Sequence, residues 1–313
     1  MDKTVNPRPE RILNVERLRI LAALGVVSFH THSVFPRSIG VVGFLVLMIS
    51  FCVFVVNKPD PYNLTDLVGR KAQRLLKPWL FWSIVYGGFC LAKVVYKDVP
   101  FSEVFSASML VTGTSIHLWF LPFAFVAAVF LVLIHRTIVR IPIAVTVPTA
   151  VVIGALCLLG CSILTQSVQR LQTPLGQWLL GLPAVPLGFA IGQSMLLESA
   201  QLRLNRYLWI VSSTAVSVLV LAWLGFGVRF AVRYLVAVAM VCSALYWQGR
   251  PDVISRILAP LSYGIYLIHP LVVVFLVRLV PAEQHPSVLL MLVIFISALV
   301  TLIIRRTALK QFA

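Results

Sequence analysis

Arg17 to Phe35 reads RLRILAALGVVSFHTHSVF. As a helix rising 1.5 Å per residue, this stretch reaches across a hydrocarbon core of about 30 Å. Similar apolar runs recur from Leu18 to Leu302, separated by short basic or Pro/Gly-containing segments. Composition agrees: 60% of residues are hydrophobic and 12% charged, with a mean hydropathy of +0.97. A soluble domain has about a quarter of its residues charged. The pattern predicts one all-α, polytopic membrane domain over 1–313 with about ten transmembrane helices.

The spans are expected at 17–35, 38–57, 78–97, 116–135, 141–163, 175–197, 207–224, 229–247, 257–280 and 287–304. The first 17 residues are polar and no cleavable signal peptide is apparent, so 1–16 reads as a cytoplasmic tail and the first helix as retained. A formal net charge of +16 follows topology here and does not point to nucleic acid. With the N-terminus in the cytoplasm, all 26 lysines and arginines fall inside except Arg37, Lys93, Lys97, Arg170, Arg229, Arg233 and Arg278. That bias places both termini in the cytoplasm. The segment 63–77 is basic, carries Leu64, Leu67, Val68, Leu75 and Leu76, and meets Pro78, so it reads as an amphipathic interfacial helix leading into the third span. The segment 98–115 has room for a short surface or re-entrant helix. All five cysteines lie in apolar runs without metal-like clustering and read as packing residues.

In the first span, Arg19 and His30 are 11 residues apart, three turns plus about 20°, so they share one stripe. Their separation is about 16 Å along the axis, from the cytoplasmic headgroups to beyond the midplane. Arg19 alone fits a topology anchor as well as a functional group. A histidine inside a spanning helix is costly, and function is its default reading. His32, about 200° further round, should face elsewhere. Arg70, Lys71 and Arg74 open the third helix, with Arg70 and Arg74 on one face. They suit either a clamp on a polyphosphate such as that of coenzyme A or an anchor on anionic lipid. His117 and Trp119, in His117-Leu118-Trp119-Phe120-Leu121-Pro122, read most simply as interfacial residues at the external end of the fourth span. Tyr266 and His269 are neighbours on the ninth span, either a buried Tyr–His hydrogen bond or a pore-facing pair. No carboxylate lies deep in any expected span, which counts against an ion-coupled transporter. No phosphate-binding glycine-rich loop, zinc spacing or serine nucleophile elbow occurs, so no metal is predicted.

Four segments, in order across nearly the whole chain, resemble the membrane-bound acyltransferase 3 family, whose members O-acylate polysaccharides, lipopolysaccharide, peptidoglycan and some small acceptors. They are Arg19 with His30, Arg70-Lys71-Ala72-Gln73-Arg74, His117-Leu118-Trp119-Phe120-Leu121, and Ser262-Tyr263-Gly264-Ile265-Tyr266-Leu267-Ile268-His269. The resemblance implies ten helices in a bacterial inner membrane and acyl-CoA, most often acetyl-CoA, arriving from the cytoplasm. The acceptor would be a glycan or lipid-linked sugar at the external side, in contact with membrane lipids and a polysaccharide synthesis complex. It implies His30 as the catalytic histidine, Arg19 in support of it or of the donor, and Arg70 and Arg74 on the CoA phosphates. Lys71 stands where the family more often has arginine, and a lysine loses the bidentate fork. The extra helix and external esterase-like domain of some members are lacking, so direct transfer is expected. His30 would act as general base or as a transient acyl carrier, the base being favoured. A transporter or flippase of a glycan or glycolipid would use the same polar cavity between the helices without chemistry, and a membrane scaffold within a polysaccharide synthase complex is the alternative from the binding class.

Overall fold

A computed structural model describes residues 12–31, 35–57, 64–167, 172–247, 249, 252–281 and 284–312. The expected tail before Ile12, His32 and Asn63 lie outside the described residues. All regular structure within them is helical.

Helices α1 (Leu13–His30), α2 (Arg37–Asn57) and α3 (Leu64–Lys97) are followed by the single turns α4 (Phe101–Val104) and α5 (Met109–Thr112). A 3-10 turn at Ile116–Trp119 then leads into α6 (Phe120–Thr137) and α7 (Ile143–Ser167). The sixth crossing is split into α8 (Leu175–Gly181) and α9 (Ala184–Ser194), the break falling at Pro183, which has no N–H to offer the carbonyl of Leu179. Then come α10 (Ala200–Trp223), α11 (Arg229–Tyr246), the short α12 (Val253–Leu258), α13 (Ser262–Leu276) and α14 (Pro286–Arg305), with 3-10 turns at Ala259–Leu261 and Ala308–Phe312. Among the described residues, nine segments are long and apolar enough to cross a membrane. The tenth, α1, has 18 residues but carries Glu16, Arg17 and Arg19, which lower its apolar content. Nine of the expected crossings thus meet that measure among the described residues, and α1 occupies the place of the expected first one.

Two boundaries differ in ways that matter. The interfacial helix does not end at Pro78: it runs on into the third span as one helix of 34 residues, about 51 Å long. That exceeds the hydrocarbon thickness by several turns, and the turn lost at Pro78 is the one that would bond the carbonyl of Arg74. The first helix begins at Leu13 rather than 17, which brings Glu16 onto it.

α2 is the central element, because small residues let neighbours approach its backbone. A Cβ on Gly43 would lie 2.6 Å from the carbonyl oxygen of Ala22 in α1, and one on Gly192 of α9 would lie 2.9 Å from that of Val53. Gly43→Val is therefore expected to lower stability by about 1–3 kcal/mol through overpacking. Thermal unfolding of the detergent-solubilised protein checks this, and an unchanged midpoint contradicts it.

Polar contacts fasten one end of the bundle. Arg17 pairs with Asp252 at 2.6 Å, and Asp252 also accepts from the Ser255 backbone N–H at 2.7 Å. The Ser255 hydroxyl and N–H, followed by Arg17, hold the Asp252 carboxyl down to about 2. At the same end, Lys77 Nζ donates to Gln311 Oε1 at 2.8 Å and Trp82 Nε1 donates to the Phe312 carbonyl at 2.8 Å. The start of α1 and residues 311–312 thus lie at one end, as an even number of crossings requires.

Candidate functional site

At that end opens a cavity of about 530 Å³, here called the inner cavity. Ile12, just before α1, and Glu16 and Arg19 on it line the cavity, α2 contributes Ser50, Phe54 and Asn57, α3 contributes Arg74, and Phe120, Ser262, Tyr263 and Tyr266 close it. Arg19 Nη1 is 3.5 Å from Glu16 Oε1, an i,i+3 pair of half-buried groups. The Ser50 and Tyr263 hydroxyls are buried in this wall without a hydrogen-bond partner, polar capacity that a ligand would satisfy. Arg19 and Arg74 are thus brought together although sequence alone gave them separate roles. Arg70 and Lys71 are half-buried and are not among the residues lining the cavity.

A second cavity, of about 230 Å³, enters from the opposite end. Its walls include Val26, Phe29 and His30 of α1, Phe44 of α2, Ile116, His117 and Trp119, Gln177 of α8, and Tyr266. One stripe of α1 therefore borders both cavities, Arg19 on the inner and His30 on the outer. Tyr266 also borders both. Between them the rings of Phe44 and Phe120 meet at 5.6 Å and those of Phe120 and Tyr266 at 5.8 Å, an aromatic partition one side chain thick. His117 and Trp119, expected as interfacial tips, are 5% and 7% exposed. They are interior because the 3-10 turn carrying them folds inward against α13.

Three histidines meet beside this partition, and their hydrogen bonds separate their capacities. His117 Nε2 is 3.3 Å from the Leu267 carbonyl, to which it can only donate. Its Nδ1 then accepts from the Ser115 hydroxyl at 2.9 Å. Both ring nitrogens of His117 are committed, and its own carbonyl accepts from the Tyr266 hydroxyl. The Tyr86 hydroxyl braces the same strand of contacts by donating to the Leu267 carbonyl at 2.8 Å.

His269 is fully buried. Its Nδ1 is 2.8 Å from the Tyr266 carbonyl and 3.2 Å from that of Ile265. The local sequence explains this: Pro270 has no N–H, so the carbonyl four residues back, on Tyr266, loses its helical partner. Nδ1 therefore carries a hydrogen, and Nε2 is a bare lone pair, buried without a partner. Of the two readings of Tyr266 and His269, the side-chain hydrogen bond is not formed: the hydroxyl goes to the His117 carbonyl and the imidazole to the backbone. His30, half-buried at the end of α1, lies with its ring centre 5.1 Å from that of His269, and His117 is 5.8 Å from His269. Sequence reasoning passed over Glu16, Ser115, Tyr86 and Gln177, single polar residues in apolar surroundings whose partners are distant in the chain. Among the described residues, no group of three or more His, Cys, Asp or Glu side chains is arranged to hold a metal ion.

An acyltransferase domain, that of the acyltransferase 3 family, matches residues 12–306. The chain belongs to this family, and it is a multi-pass membrane protein built on an acyltransferase domain. No similarity to a curated protein or to a solved structure was found.

Proposed function

We propose that the protein transfers an acyl group, acetyl by default, from acyl-CoA in the inner cavity to a hydroxyl of a glycan or lipid-linked sugar in the outer cavity. The observation that carries this is the placement of Tyr266 on both cavities, with Arg19 and Arg74 on one side of it and His30 on the other. A donor and an acceptor entering from opposite ends would meet across a single side chain.

Arg19 and Arg74 offer guanidinium forks to the donor's phosphates. Arg70 and Lys71, one turn earlier on α3 than Arg74, extend positive charge beyond the cavity mouth. The pantetheine arm lies along the apolar wall of Phe51, Phe54 and Phe120 and passes Tyr266 to present its thioester carbonyl. His30 takes the proton of the acceptor hydroxyl as that oxygen attacks the carbonyl carbon. As the tetrahedral intermediate collapses, the C–S bond breaks and the departing thiolate of CoA receives the proton back from the imidazolium. The products are an O-acyl ester and CoA thiol, and His30 returns to its starting state.

In this scheme the membrane is the bacterial inner membrane, the donor is cytoplasmic, and the acceptor reaches the external face from lipid or from a polysaccharide synthesis complex. The aromatic partition favours chemistry in place over passage, since a glycan crossing the bundle would have to displace Phe44, Phe120 and Tyr266 together. Purified protein incubated with acetyl-CoA labelled in the acetyl group is expected to release CoA thiol and to pass the label to membrane-extracted glycan or glycolipid. Absence of both from a folded preparation contradicts the reading, whereas movement of an unlabelled glycan across vesicles without CoA release supports a flippase.

A further inference from the structure

We propose that Gln311 and Phe312 are positioning residues that splint α3 across Pro78 and so hold Arg74 at the inner cavity. This rests on the reading of Arg74 as a contact to the donor's phosphates. Two features of α3 call for such a splint. Pro78 has no N–H for the carbonyl of Arg74, so the hydrogen-bond ladder is interrupted just after the arginine, and a helix bends where its ladder is broken. The core does little to stiffen it, because only 11% of its most apolar stretch is buried, against 28% or more in every other segment long and apolar enough to cross. A bend at Pro78 would swing the cationic half of the helix, and Arg74 with it, relative to the cavity that Arg74 lines.

The 3-10 turn Ala308–Phe312 lies across this weak point and touches both sides of it. On the cationic side, Lys77 Nζ donates to Gln311 Oε1 at 2.8 Å and stands 5.6 Å from the centre of the Phe312 ring, a cation over an aromatic face. On the far side, the Phe81 and Phe312 rings stack at 4.3 Å with 13° between their planes, and Trp82 Nε1 donates to the Phe312 carbonyl at 2.8 Å. One aromatic ring is thus gripped from both halves of α3. Trp82 is itself buried against Tyr86, whose hydroxyl is bonded to the Leu267 carbonyl of α13. The far half is therefore fixed to the bundle, and the cationic half is the one the turn keeps in line. Arg74, Lys77 and Phe81 fall within about 60° of one another around the helix axis, so the splint lies along the face that carries Arg74.

The test uses the full-length chain in detergent and titration with acetyl-CoA. Phe312→Ala removes the ring stack and the cation–π contact while leaving its backbone carbonyl for Trp82; Kd for acetyl-CoA is expected to rise on the order of 10-fold, with CoA release at saturating donor within about twofold of the wild type. Phe312→Tyr keeps both ring contacts and should bind as the wild type does. In an Arg74→Ala background, Phe312→Ala should cost nothing further, a result that a general loss of stability would not give. Amide exchange read by mass spectrometry is independent of the donor: in Phe312→Ala the amides of 70–82 should exchange faster while those of α2 do not change. Unchanged affinity or unchanged exchange in folded Phe312→Ala, or an equal loss in the Arg74→Ala background, overturns the proposal. The milder Gln311→Ala carries the same two measurements if Phe312→Ala does not fold. A wild type without affinity for acetyl-CoA overturns the donor reading and this proposal with it, whereas a wild type that binds and a Phe312→Ala variant that binds equally well overturn this proposal alone.

Discussion

His30→Ala is expected to reduce acyl transfer by about 10²–10⁴-fold, the range lost when a positioned general base is removed, while leaving acetyl-CoA affinity within a factor of about two. The split follows from the two cavities. His30 lines the outer one and makes no part of the inner one, the proposed donor site, so its loss should act on the chemical step. Steady-state kinetics, with donor binding measured separately by calorimetry, would show it. Near-normal transfer by the folded variant would remove His30 from the mechanism. Complete loss with retained donor binding would leave base and acyl carrier both standing, and trapping a histidine-bound acetyl group would separate them.

The double variant Arg19→Ala/Arg74→Ala should weaken acetyl-CoA binding on the order of 100-fold, as each charge-assisted bond to phosphate contributes about 1.5–3 kcal/mol when well formed and less where water reaches it. Arg74 is exposed and Arg19 half-buried, so the Arg19 share should be the larger and the less sensitive to salt. Arg70→Ala, outside the cavity lining, should have a smaller effect that fades as ionic strength rises. Titration of acetyl-CoA into the purified variants at two salt concentrations distinguishes these contributions. Unchanged affinity in the double variant would move the donor site elsewhere.

Most of the fold was legible because lipid enforces it. A crossing must be a helix of about 20 apolar residues, and the runs that satisfy this are plain in the sequence. The misread boundaries lie where that rule is weakest. Pro78 signals a stop by local chemistry, yet the helix continues through it, with Trp82 and Lys77 held from outside by residues 311–312. Glu16 was missed because the polar start of α1 reads as tail until its partner Arg19 is seen on the next turn. Within the site, the stripe of Arg19 and His30 needs only the period of one helix and was readable. The meeting of Arg19 with Arg74, the inward fold of His117, and the division of labour among three imidazoles depend on contacts across about 50 to 240 positions of sequence, which no local pattern encodes. His269-Pro270 is the exception that was visible but not understood, since a proline in a helix announces a spare carbonyl without saying what takes it.

The aromatic partition also has an electrical consequence. A line of arginine and histidine across a bilayer, with cavities reaching in from both ends, would be a conducting leak if the cavities joined. Phe44, Phe120 and Tyr266 keep them apart, so the low-dielectric layer separating the two aqueous compartments narrows to little more than the width of those rings. A resting potential would then drop mainly across them, at about 2.3 kcal/mol per elementary charge for each 100 mV, and the same three side chains that bring the two cavities within one residue of each other also serve as the insulation of the membrane at its thinnest point.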